Sequence, residues 1–147
     1  MRRIKRIFVH CTASHQTASV NDIKAEFKRK GWKKPGYHYL VDAGGAIHQL
    51  LDDANISNGV KGYNSTSINI AYIGGIDSEG KATDNRTEPQ KQALRKLIKL
   101  LHGRYPDAEI LGHRDISPDK NGNGIVDPWE RIKECPCFNA KEEYKDL

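Results

Sequence analysis

The stretch RRIKRIFVHC, residues 2–11, decides the architecture because its apolar residues fall on both alternations of an extended chain. In a strand, Ile4, Phe8 and His10 share one face, and Ile7, Val9 and Cys11 share the other. A strand apolar on both faces belongs in the interior of a sheet covered on both sides, which is the α/β arrangement. Working outward, SVNDIKAEFKRKGW (residues 19–32) has Ile23 and Phe27 four apart and a glycine stop at Gly31, so it reads as a helix. YHYLVDA and AIHQL, joined around Gly44 and Gly45, read as a hairpin, and SINIAYIGGID (residues 67–77) as another strand.

The best-defined helix starts at TEPQ, residues 87–90. Thr87 is its cap, Pro89 lies in the first turn and Gln90 completes a capping box. Leu94, Leu97, Ile98 and Leu101 then form the apolar stripe, Gly103 is the expected end, and AEILGH (residues 108–113) is a short strand. No repeat and no linker divides the chain. The expectation is one α/β domain over residues 1–147, with a central mixed sheet flanked by helices.

The bulk composition narrows the function classes. With 147 residues, 37% hydrophobic and 29% charged, the chain is ordinary for a soluble globular domain. No apolar run approaches the roughly 18 residues of a membrane span, and the apolar stretch after the basic start is too short for a signal-peptide core. The net charge of +5 suits an anionic partner, but Lys and Arg are scattered, without the basic stripe interleaved with aromatics of a nucleic-acid binder. Three cysteines are too few for a disulfide framework, and Cys135 and Cys137 lie too close for an easy mutual bridge.

His10 and His113 each close a strand, where open sheets present functional groups. With Cys135 they make a set of two imidazoles and one thiolate, which suits zinc and leaves a fourth position for water. Their long separation is no motif in itself, and the alternative of a satisfied core histidine with two buried thiols stands beside it. Cys11 alternates away from His10 and belongs to the core.

A second metal is suggested by DKNGNGIVDPWE, residues 119–130. Asp119, Asn121, Asn123, Asp127 and Glu130 hold positions 1, 3, 5, 9 and 12 of a calcium loop, Gly124 holds position 6, and Ile125 would contribute a backbone carbonyl. Calcium there would be structural, fixing the spacing between His113 and Cys135. The alternative is an Asn/Gly-rich surface turn held by side-chain to backbone bonds.

Five blocks, IFVHCTAS, GYHYLVD, VKGYNSTSINIAYIGGID, LGHRD and KECPCFN, resemble, in order, those of the zinc-dependent N-acetylmuramoyl-L-alanine amidases. The likeness is to the bacteriophage-lysozyme branch, related to the peptidoglycan recognition proteins, and spans about residue 7 to residue 139. It implies that His10, His113 and Cys135 bind zinc, that Tyr37 lies beside the metal and that Lys133 faces the reacting carbonyl. It further implies hydrolysis of the amide between the lactyl group of N-acetylmuramic acid and L-alanine of the stem peptide. Tyr37 is the first candidate for carrying the proton and Glu134 the second.

Lys61 and Asn64 would contact the substrate. Gly59 stands where family members often carry a histidine, which puts a secondary contact to substrate in question. His38 is expected to be structural. The implied partner is peptidoglycan glycopeptide, with no nucleic acid and no membrane insertion, bound by a monomer. Without a signal peptide, a phage or prophage endolysin made in the cytoplasm and acting on the cell wall is expected. A non-catalytic peptidoglycan-binding module is the alternative, against which the retained Cys135, Tyr37 and Lys133 argue.

Overall fold

The computed structural model describes residues 2–116 and 134–147. The calcium-loop residues Asp119, Asn121, Asn123, Ile125, Asp127 and Glu130, and Lys133, lie outside them. The doubly apolar stretch becomes β1 (Arg6–Cys11), in which every residue after Arg6 is buried. It lies between β4 (Ser67–Tyr72) and β5 (Glu109–Gly112), parallel to both. β2 (Tyr39–Val41) adds in parallel to β4, and β3 (Ile47–Gln49) closes that edge as the antiparallel arm of the expected hairpin. The five-stranded order is β3-β2-β4-β1-β5.

The two faces of β1 are covered differently. Ile7, Val9 and Cys11 join Ile68, Ile70 and Tyr72 of β4 against Leu94, Leu97, Ile98 and Leu101 of α2 (Glu88–Arg104). On the opposite face Leu40, Ala71 and Ile73 meet Ile23 and Phe27 of α1 (Val20–Arg29), while Phe8 packs with Val60 and Leu111. Ile4 departs from the expected alternation and joins the Ile7 and Val9 side, because the strand begins only at Arg6.

Both helices start in capping boxes, Ser19 with Asp22 and Thr87 with Gln90. Gly103 does not stop α2, which continues to Arg104; Tyr105 ends it with its N–H on the Leu101 carbonyl. No helix among the described residues is long and apolar enough to cross a membrane.

The C-terminal segment is clamped onto this frame. The Arg86 guanidinium sits 3.5 Å over the Phe138 ring and donates to both Asp84 and Glu143, the last residue of α3 (Ala140–Glu143). The buried Tyr72 hydroxyl donates to the Pro136 carbonyl at 2.7 Å. Gly112 permits the close approach of this segment to β5, since a Cβ there would lie 2.7 Å from Pro136 Cδ. These contacts decide where Cys135 sits.

Candidate metal centre

His10 is the fifth residue of β1, and His113 follows directly after β5, so neighbouring parallel strands deliver both imidazoles to the same C-terminal edge of the sheet. Their rings lie edge to face with centroids 4.9 Å apart. Cys135 arrives from the far end of the chain, held by a bond from the Arg114 N–H to its carbonyl at 2.8 Å. Its Sγ accepts the Cys11 backbone N–H at 3.2 Å and lies 3.8 Å from His10 Nδ1.

All three candidate ligand atoms fall within 4.8 Å of one another, the one such group of three among the described residues. Tetrahedral zinc bonds of about 2.0–2.1 Å to nitrogen and 2.3 Å to sulfur set the donors roughly 3.5 Å apart, so the widest donor pair need close by no more than about 1.3 Å to complete the set. Two imidazoles and a thiol are a donor set that fits zinc, and all three residues line one cleft.

Tyr37 packs its ring 5.2 Å from that of His10, and its hydroxyl donates to the Cys11 carbonyl at 3.4 Å. Burial, with the neighbouring Cys135 and Cys11 thiols, pushes the phenol well above its usual range. Glu134 is exposed, 4.0 Å from Arg114. Cys11 belongs to the core on the α2 side, its Sγ 3.9 Å from that of Cys137, and hydrogen bonding to Cys135 with burial pushes its thiol up to about 12. His38 is fully buried, accepting the Asn69 N–H on Nδ1 at 3.0 Å, and is structural as expected.

Around the centre lies a cleft of about 200 Å³ lined by His10, His113, Cys135, Tyr37, Trp32 and Gly59. It runs into a neighbouring trough of about 540 Å³ that adds Lys61 and Asn64. Both expected substrate residues therefore border one groove with the metal candidates, although the Asn64 carboxamide oxygen is already engaged by the Val60 N–H at 2.7 Å. Lys30 and Trp32, unmarked by any sequence motif, line both cavities, with the Lys30 ammonium 4.8 Å above the indole. A larger hollow of about 690 Å³ along α2, between Ile47, Leu97 and Leu100, has only Lys and Arg as ionisable groups and offers no acid, imidazole or thiol.

Residues 1–130 match the family model described as N-acetylmuramoyl-L-alanine amidase. The endolysin of Klebsiella phage KP32 is 36% identical over 138 residues, covering 92% of this chain and 82% of that protein. Among solved structures, the Ph2119 endolysin from a Thermus scotoductus bacteriophage superposes with a TM-score of 0.74 at 26% identity, over 99% of this chain and 85% of the other. The Drosophila peptidoglycan recognition protein LB shares the fold, with a TM-score of 0.68 at 18% identity over 92% of this chain and 76% of that one.

Proposed function

This chain belongs to the N-acetylmuramoyl-L-alanine amidase family, and on that premise we propose that it is a zinc hydrolase cutting the amide between the lactyl group of N-acetylmuramic acid and L-alanine of the stem peptide. The observation that carries this reading is the meeting of His10, His113 and Cys135 at the floor of a polar groove. Zinc bound there would polarise the scissile carbonyl and lower the pKa of water toward about 7.

The protein's own residues do the rest. The sheet edge and the Cys135 turn hold the ligands in place. Tyr37, against His10, would donate a hydrogen bond to the developing oxyanion and is the first candidate to hand a proton to the leaving amine, with Glu134 second. Lys133, two residues before the thiolate in sequence, would add a positive charge at the same oxygen. Lys30 and Lys61 give the groove a positive lining suited to the carboxylates of a stem peptide. The resemblance to phage endolysins supports action on the bacterial cell wall. From ligand spacing alone, residues 119–130 are proposed to hold a structural calcium ion, tested by calorimetric titration at millimolar calcium.

The deciding experiment measures new L-alanine amino termini and released stem peptide from purified peptidoglycan, as prepared, after chelation and after zinc restoration. Release that is lost to chelator, regained with zinc and absent in Cys135→Ser supports the proposal. Binding to the polymer without release under any metal refutes it and makes the chain a recognition module.

A further inference from the structure

The buried residue Asn69 of β4 is polar between the apolar Ile68 and Ile70. It lies on the same face as Phe8 and His10, in register with Phe8. Its Oδ1 is 2.8 Å from His10 Nε2, and its Nδ2 donates to the buried Ser57 hydroxyl at 2.7 Å. Its backbone N–H is also engaged, by His38 Nδ1 at 3.0 Å. Gly59 closes the remaining side: a Cβ on that residue would fall 2.2 Å from Asn69 Cγ and 2.3 Å from Oδ1. The loop that carries Ser57 and Gly59 thus grips the carboxamide from two directions, and Gly59 also lines the groove.

We propose that Asn69 is a positioning residue for the metal centre, fixing the ring and tautomer of His10, and that Gly59 is the space it requires. This rests on the zinc reading above. A carboxamide oxygen only accepts, so His10 Nε2 carries the proton and Nδ1, which faces Cys135 Sγ at 3.8 Å, keeps its lone pair for a metal. The reversed amide would present N–H to Nε2, force the proton onto Nδ1 and abolish ligation. A partner on the second nitrogen of a ligating histidine both orients the ring and raises its basicity. Here that partner is locked by a loop of the substrate groove, so the residue at position 59 and the strand position at 69 are constrained together.

The test reads metal affinity directly, by competition with a chromophoric zinc chelator and by the visible absorption of the cobalt-substituted protein. Asn69→Leu should weaken zinc binding about ten- to a hundredfold, the usual effect of removing such a partner, and alter the cobalt spectrum. Asn69→Asp, which can only accept, should stay close to wild type, its carboxylate taking the Ser57 proton as well. Loss in Asn69→Asp equal to that in Asn69→Leu overturns the donor assignment. Gly59→Ala, whose methyl strikes the same carboxamide from the loop, should reproduce the Asn69→Leu loss and carries the test should Asn69→Leu not fold. Wild-type zinc affinity and cobalt spectrum in either folded variant overturn the proposal. A wild-type protein without zinc affinity would instead refute the zinc reading itself.

Discussion

Removing one oxygen atom from Tyr72 should loosen the metal centre from a distance. Tyr72 is fully buried and its hydroxyl donates to the Pro136 carbonyl at 2.7 Å, so Tyr72→Phe leaves that buried carbonyl without this donor. A buried acceptor deprived of its bond costs about 1–3 kcal/mol. At roughly 2–4 °C per kcal/mol for a domain of this size, a central loss of about 2 kcal/mol lowers Tm by about 4–8 °C.

The lesion adjoins Cys135, so it should also weaken zinc. Saturation at about a thousand times Kd adds roughly 4 kcal/mol to the native state, and each tenfold loss of affinity removes about 1.4 kcal/mol of that. Thermal unfolding followed by circular dichroism, with chelator and with zinc, gives both numbers. A Tyr72→Phe protein with wild-type Tm would refute the role of the hydroxyl as a strut. An equal drop with and without zinc would refute its coupling to Cys135.

Three further outcomes follow from the geometry. Tyr37→Phe should lower kcat about 10²–10³-fold with zinc affinity unchanged, read by release of L-alanine amino termini; full turnover would remove the hydroxyl from the chemistry. Hydrogen bonds from Arg86 outweigh burial at Asp84 and hold both Asp84 and Glu143 below the usual carboxylate range. Depressed carboxylates stabilise the fold above their unfolded values near about 4 and lose that contribution as pH falls through the folded ones, so Arg86→Met should flatten the acid side of the stability profile. An unchanged slope in urea titrations at successive pH values would count against the clamp. Gly103 sits inside α2 with open space where a Cβ would be, so Gly103→Ala should raise unfolding free energy by about 0.5–1 kcal/mol in denaturant titration; a loss would mean the position is not helical.

What the sequence revealed and what it concealed differ in physical kind. β1 was legible because apolar residues on both alternations are a local property, and the α2 cap because TEPQ is a local motif. The order of strands was not, since placing β1 between β4 and β5 depends on pairings across some 60 and 100 residues. Gly103 misled because a glycine only permits a stop; it forces none while the Tyr105 N–H still reaches Leu101. The three metal candidates were suggested by donor chemistry and singled out by family likeness, but their spacing was mute, with His10 and Cys135 meeting across 125 positions. Asn69 had left one trace, an amide in the apolar run SINIAY, but its partners Ser57 and Gly59 come from a loop that no periodicity marks. Trp32 and Lys30 left none, since an exposed cation over an aromatic ring reads as ordinary surface.

The clamp on the C-terminal segment also sets a schedule. A chain emerging from the ribosome has β1, β4, β5 and both histidines in hand by residue 113, yet Cys135 and the Arg86 partner Glu143 come only later. The proposed three-ligand set is therefore assembled only once residue 135 has been made. A copy ending before residue 135 would carry all five strands and both imidazoles without the third candidate ligand.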